Sequence, residues 1–297
     1  MIRYFFPPEF DPAFYRKSKP YLVSLTDDIL KKEFTEYGIK SGSPGSILCY
    51  REKVVQFIEK IGKSILEIGP GGHPAFRGNN VKYVDVFTTE ELKKKYASPD
   101  DRPPNIDYSL DEFVNGSINE KFDVVYSAHN FEHQINPVRH IGNVANVLHS
   151  NGYFIAIIPD RNFTFDYFRE KTTLADILAA PDSQTEHTLR SRLIKHIRTH
   201  NNCIEHWFGN HGEMEGTDED VIAEYLVRDD KTFQSLHVNV FDPISFKQIF
   251  GLLSARNLLD LELIRVYNTP FLRNEFVTVF RKKEEVMDSN DCKKNKS

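Results

Sequence analysis

Cysteine is scarce in this chain of 297 residues: Cys49, Cys203 and Cys292 are the only three, an odd number without metal-type spacing. Neither a disulfide framework nor a zinc knuckle is expected, and the three read as incidental thiols. Long apolar runs are missing too. The longest, Tyr153 to Ile158, has six residues, against the roughly 20 needed to cross a bilayer, so no membrane span is predicted. The opening MIRYFFPPEFDP has neither the apolar stretch nor the small-residue cleavage site of a secretory signal, which makes the cytoplasm the expected compartment. Positive charge is not in excess: 38 Lys plus Arg face 43 Asp plus Glu, a net charge of −5. That balance gives a phosphate backbone nothing to favour, and nucleic acid is not an expected partner. Glycine and proline, at 15 each, are too few for a collagen-like or low-complexity chain.

What is present is a globular composition, 40% hydrophobic and 27% charged, in a length that allows about two domains or one core with large insertions. The turn-forming cluster Ser41-Gly42-Ser43-Pro44-Gly45-Ser46 separates an N-terminal accessory segment, residues 1–45, from the rest. Beyond it, Val54, Val55, Ile58 and Ile61 have helical spacing, and Ser64 to Ile68 is a short apolar run ending in glycines, the pattern of a helix followed by a buried strand. Strands are predicted over Val81–Val86, around Ile106, over Phe122–Ser127 and over Gly152–Ile158. Helices are predicted where Thr88-Thr89-Glu90-Glu91 reads as a cap and between Pro137 and His149. Apolar runs separated by helices imply a largely parallel sheet covered on both faces, an α/β fold. Residues 161–236 are polar, histidine-rich and helix-prone and read as a helical insertion or lid. Residues 237–283 return to the core pattern, with a helix over Ile244–Leu253 and strands over Leu261–Val266 and Glu275–Phe280 that close as an antiparallel pair. The polar tail, 284–297, is expected to be disordered.

The sharpest signal is Ile65-Leu66-Glu67-Ile68-Gly69-Pro70-Gly71-Gly72, a buried strand running into a glycine turn. In open α/β sheets ligands bind beyond the carboxyl ends of strands, where glycine lets backbone N–H groups come close. Asp85, at the end of the second strand, stands where such folds offer a carboxylate to a ribose. The ordered strings LEIGPGG, YVDV, NIDYSL, FDVVYSAHNFEH and HSNGYFIAIIPD resemble the successive motifs of class I S-adenosylmethionine-dependent methyltransferases. The likeness covers about residues 62–160 and the closing hairpin. It implies a Rossmann-like seven-stranded sheet, mostly parallel with an antiparallel last strand, in which 46–160 is the cofactor-binding core and 161–236 the acceptor lid. A dinucleotide dehydrogenase fits less well, because GPGGH is not G-x-G-x-x-G.

The resemblance assigns Glu67, Gly69 and Gly71 to the methionine and sulfonium end of S-adenosyl-L-methionine, with Pro70, Gly72 and Ser127 in the same cofactor-facing set. It assigns Asp85 to the ribose hydroxyls, Asp107 to the adenine amino group and Tyr108 to the adenine flank. A tight turn alone explains the glycines as a simpler alternative. The short Gly72–Val81 stretch with Pro74 predicts a truncated or irregular first crossover helix. The strings YVDVFTTEELKKKY and PDRNFTFDYFREKTTLADIL are similar in flavour to methyltransferases of cell-surface polysaccharide and glycan assembly. That likeness implies a carbohydrate acceptor and association with glycosyltransferases. The lid residues Phe165, Tyr167, Phe168, His206, Trp207, Phe208 and His211 suit sugar stacking, and core packing explains them equally.

Methyl transfer to a hydroxyl is an in-line displacement that needs donor and acceptor held in near-attack geometry and a group to take the proton. His133, then His129, rank as that base, with Asp160 as base, orienter or metal ligand. His196 and His200 are spaced i, i+4, but the glutamate of an H-E-x-x-H site is absent. No metal is assigned; Asp160 or Asp166 with a lid histidine are the residues that could supply one. The competing readings are N-methylation of a small molecule or protein, and a non-catalytic methyltransferase-like scaffold in glycan assembly.

Overall fold

The computed structural model describes residues 6–181, 203–213, 216–227 and 236–284. The expected polar tail beyond 284 and the helix-prone stretch around Thr188 to His200 lie outside the described residues.

Seven strands form one sheet: β1 (Ile65–Ile68), β2 (Val81–Asp85), β3 (Tyr108–Ser109), β4 (Phe122–Ala128), β5 (Leu148–Pro159), β6 (Leu261–Tyr267) and β7 (Glu275–Lys282), in the order β3-β2-β1-β4-β5-β7-β6. β1 to β5 run parallel, and β7 enters antiparallel between β5 and β6. The α/β sheet expected from the sequence is therefore present. Each central strand is apolar on both faces because helices cover both. On one face α6 (Pro137–Val147) and α9 (Pro243–Ala255) bury Ile141, Val144, Phe246 and Phe250. On the other, α3 (Arg51–Ile61) buries Val54 and Ile58. Between β1 and β2 there is no helix, only turns over residues 69–80, as the short proline-containing crossover predicts. The third strand is only two residues long and sits at Tyr108–Ser109 rather than around Ile106.

α4 (Thr89–Lys95) and α5 (Leu110–Val114) start on capping boxes, Thr88 with Glu91 and Ser109 with Glu112; each box satisfies two helix-end N–H groups reciprocally. The N-terminal segment carries α1 (Pro12–Ser18) and α2 (Asp27–Glu33), with its own aromatic cluster of Phe10, Tyr15 and Phe34. It docks beside β6: Glu9 accepts the N–H of Val266 at 2.7 Å, and the Tyr267 hydroxyl donates to the Pro7 carbonyl at 2.7 Å. The described start of the insertion packs against the core. Ile177 of α7 (Leu174–Leu178) belongs to the main core cluster, and the Thr172 N–H bonds to the Val240 carbonyl. α8 (Asp218–Val227) is helical as its sequence predicts. Among the described residues no helix is long and apolar enough to cross a membrane.

Candidate active site

In the strand order, the chain winds one way from β1 through β3 and the other from β4 to β5, so the switch point lies between the carboxyl ends of β1 and β4. This is the crevice where open α/β sheets bind ligands. Gly69 leaves β1 with φ 70°, and a Cβ placed there would meet Asn130 Nδ2 at 3.1 Å. Glycine is needed both for the left-handed backbone and for the approach of the loop after β4. A cavity of about 310 Å³ opens here, walled by Gly69, Asp85, Leu110, Asn130 and His133 together with apolar residues of the strand ends.

Two carboxylates shape this end of the sheet. Glu67, buried on β1, accepts the N–H groups of Ala75 and Phe76 at 2.8 and 3.2 Å, so it holds the glycine loop in place by its backbone. Burial pushes its pKa up to about 7, against the pull of those N–H groups and of Arg51. Asp85 is buried at the end of β2, on the cavity wall, with Oδ1 accepting the Phe87 N–H at 2.9 Å. Burial raises its pKa, opposed by the N–H groups of Phe87, Gly71 and Val86. Gly71 also has positive φ, and a Cβ on Gly72 would run into the Tyr96 ring at 2.6 Å, so Tyr96 lies over the turn that contains Pro70.

Three residues of the expected cofactor set lie away from the cavity wall. Asp107 points back to β2, accepting from Lys82 Nζ at 2.8 Å and from the Tyr83 N–H at 3.0 Å. Tyr108 donates its hydroxyl to Glu120 at 2.6 Å. Ser127 is fully buried, and its Oγ has no hydrogen-bond partner among the described residues. None of the three lines the cavity. Sequence position along a motif does not disclose which way a short edge strand turns its side chains.

Of the three residues ranked for proton transfer, two converge and one does not. β4 ends at Ala128; His129 follows with φ 49°, a left-handed backbone that costs a non-glycine residue energy and persists only where its surroundings hold it. Its Nε2 lies 2.7 Å from Glu275 Oε2, and Arg51 stands 3.5 Å from the same oxygen. Burial would raise the Glu275 pKa, but the His129 hydrogen bond and the neighbouring arginines hold it below the ordinary value. A single 3₁₀ turn, Phe131–His133, comes next. Phe131 is fully buried against Phe246 and Phe250, and that anchor presents Glu132 and His133 to the site. His133 Nδ1 lies 2.8 Å from the Leu236 carbonyl. A carbonyl only accepts, so Nδ1 carries the proton and Nε2 the lone pair of the neutral ring. Burial lowers the His133 pKa, which favours that neutral form.

Asp160 instead caps the turn after β5. Its Oδ1 accepts the Asn162 N–H at 2.9 Å and its Oδ2 the Thr269 hydroxyl at 2.7 Å, and it lines neither the 310 Å³ cavity nor the larger one described below. Burial raises its pKa to about 7. An acid raised in the folded state favours folding while protonated, so this contribution is present below about pH 4 and lost as pH rises through 7. Asp160→Asn, which never ionises, is expected to melt progressively higher than wild type as pH goes from 5 to 8, a gain on the order of a few kcal/mol. Thermal melts across that range check it; a difference independent of pH would mean that Asp160 is already ionised.

Two residues not ranked from the sequence complete the cluster. Glu132 is 1% exposed, and neither carboxylate oxygen has a hydrogen-bond partner among the described residues. Its Oε1 is 3.6 Å from His133 Nε2, 3.8 Å from His129 Nδ1 and 3.8 Å from His237 Nε2. His237 comes from the chain entering the core after the insertion, and its Nδ1 lies 2.6 Å from Asp166 Oδ2. Asp166 also accepts from Arg169 at 2.5 Å, and His237 and Arg169 together hold its pKa well below the usual range despite burial. The H-N-F-E-H string at 129–133 carries a local signal for Glu132; nothing in the sequence couples it to His237.

Beyond His129 lies a second cavity of about 770 Å³, lined by Trp207, His73, Gln56, Arg273, Glu275 and Arg51 among others. Tyr167 stacks on His211 nearby in the insertion, their centroids 3.7 Å apart. His187, His196 and His200 lie outside the described residues.

No protein-family model matches the chain, and no curated protein matches it. Solved structures with a similar fold include a protein of Rhodobacter sphaeroides provisionally described as a zinc-dependent alcohol dehydrogenase, at 16% identity and TM-score 0.46, covering 82% of this chain and 93% of that one. They also include the CcbJ methyltransferase of Streptomyces caelestis, at 13% and 0.41, covering 78% and 89%. A third is the magnesium protoporphyrin IX methyltransferase ChlM of Synechocystis PCC 6803 with bound SAH, at 10% and 0.37, covering 91% and 94%. At such scores these likenesses decide nothing about chemistry, which has to be read from the site itself.

Proposed function

We propose that the chain is an S-adenosylmethionine-dependent O-methyltransferase acting on a sugar hydroxyl of a glycan or glycan precursor. The observation that carries the reading is the cavity at the β1/β4 switch point, with Asp85 and Gly69 on one wall and His133 on another. Its volume of about 310 Å³ is at the lower end of the range of small-ligand sites. Its chemistry suits a nucleoside: a carboxylate for ribose hydroxyls, apolar strand ends for a base, and a glycine turn that admits the chain backbone close to the ligand. Asp85, Gly69 and the loop held by Glu67 would bind the cofactor, whose sulfonium supplies the methyl group and the leaving group. His133, neutral and with its lone pair on Nε2, is the group suited to take the hydroxyl proton. A carbohydrate acceptor is supported by the second cavity, where one indole and many hydrogen-bonding side chains suit a polyhydroxylated ligand, and where His129 joins it to the cluster.

Titration calorimetry with S-adenosylhomocysteine tests the cofactor assignment. Saturable binding is expected, weakened about 10- to 100-fold by Asp85→Ala, the loss of hydrogen bonds to a charged group. Unchanged affinity in the variant would sink the ribose role of Asp85. No binding by folded wild-type protein would favour a scaffold.

A further inference from the structure

Glu132 poses a problem that hydrogen bonding among the described residues does not solve. A buried carboxylate without hydrogen-bond partners is among the costlier arrangements a fold can hold, and the three imidazole nitrogens around Oε1, at 3.6, 3.8 and 3.8 Å, are within ion-pair reach but too far for hydrogen bonds. Distances of that size between donor atoms are what a shared cation leaves: with metal–ligand bonds near 2.0–2.1 Å, neighbouring ligands of a tetrahedral site lie about 3.3 Å apart. The ligand atoms of Glu132, His133 and His237 all fall within 4.8 Å of one another.

The outer side of each ring is equally ordered. His133 Nδ1 is tied to the Leu236 carbonyl, His237 Nδ1 to Asp166 and His129 Nε2 to Glu275. Histidines that bind metals are held in this way, one nitrogen fixed by a carbonyl or carboxylate so that the other is oriented inward. Arg169 extends the arrangement by holding both Asp166 and the His237 carbonyl. Each imidazole thus has a fixed outer partner, and Glu132 is the point on which the inner nitrogens converge.

We propose that Glu132, His133 and His237 form a site for one divalent transition-metal ion. Imidazole with a carboxylate is the donor set of zinc-type ions, whereas magnesium and calcium take oxygen ligands. Three protein ligands with room for a further one is the composition of a catalytic rather than a structural site. His133 is also part of the cofactor cavity wall and His129 part of the larger cavity's lining. On the functional reading above, an acceptor oxygen bound to the ion would lose its proton more readily, and His133 would then act as a ligand and not as the base itself.

The test uses the full chain, stripped with chelator and titrated calorimetrically with Zn²⁺, Co²⁺ and Mg²⁺ separately, with the visible absorption of the Co²⁺ form as a second readout. Expected are one Zn²⁺ or Co²⁺ per chain, weak or no Mg²⁺ binding, and loss of the stoichiometric step in the isosteric Glu132→Gln. Asp166→Asn should bind 10- to 100-fold more weakly, the usual effect of removing a histidine's outer partner. His133→Ala serves where Glu132→Gln fails to fold by circular dichroism. No Zn²⁺ or Co²⁺ binding by the folded wild type, or binding unchanged in the folded ligand variants, overturns the site. S-adenosylhomocysteine titrated in the absence of metal reports the cofactor assignment independently: if the nucleoside binds but Zn²⁺ and Co²⁺ do not, the metal site alone falls, and if the metals bind but the nucleoside does not, the methyltransferase reading alone falls.

Discussion

His133→Ala is expected to lower methyl transfer to a sugar acceptor by about 10²- to 10⁴-fold, the range for losing a positioned proton acceptor, while S-adenosylhomocysteine still binds. The reason lies in the ring's two contacts. Its Nδ1–H is committed to the Leu236 carbonyl, which leaves Nε2 facing Glu132 at 3.6 Å, beside the cavity where the cofactor is proposed to bind. Neither of the two other ranked residues can substitute without moving. His129 is held to Glu275 at 2.7 Å, and Asp160 is occupied by Asn162 and Thr269. Single-turnover assays with purified acceptors, alongside calorimetry with S-adenosylhomocysteine, provide the check. Full activity would remove His133 from the chemistry. A loss seen only with cation present would assign its role to holding the ion.

Phe131→Ala is expected to destabilise the fold by about 3–5 kcal/mol, a large share of the 5–15 kcal/mol typical of a domain. The ring is fully buried, with Phe246 and Phe250 centroids at 5.5 Å and His140 at 5.9 Å. α6 and α9 pack from above and β5 from below, so the void has little freedom to collapse. A melting temperature lower by about 10 °C follows for a domain of this size. A shift of only a degree or two would show that the 3₁₀ turn is held by its hydrogen bonds instead. Because Phe131 adjoins Glu132 and His133 in that turn, even a folded Phe131→Ala variant should also lose order at the site.

Much of the sheet is legible in the sequence because its strands are buried on both faces. FDVVYS and GYFIAII cannot be mistaken for amphipathic helices, and the glycine turn after Ile68 marks where a ligand crevice begins. Asp85 lines the cavity for the same reason that it could be picked out: it ends a buried strand, where a carboxylate has few other places to go. Asp107 and Tyr108 were legible as positions but not as orientations, since a two-residue strand at the sheet edge leaves side-chain direction to its neighbours, here Lys82 and Glu120. The Glu132 cluster was the least legible part. Its local half is visible in HNFEH, but what makes it chemically distinctive is the approach of His237 and Asp166, two residues that meet where hydrogen bonds such as Thr172 N–H to the Val240 carbonyl and Arg169 to the His237 carbonyl join the start of the insertion to the returning chain.

The docking of residues 7–9 on β6 also bears on how copies of this chain could assemble. A sheet grows into a neighbour's sheet only along a free edge of outward-facing N–H and C=O groups. At one end of this sheet the N–H of Val266 is taken by Glu9 and that of Leu263 by Ser254 Oγ, while at the other end β3 offers only two residues. Strand-to-strand dimers, domain-swapped or fibrillar, therefore have no ready template. Removing residues 7–9 would free the Val266 N–H and open the β6 edge alone, enough for two copies to pair edge to edge and, with β3 so short, not for a sheet that keeps growing.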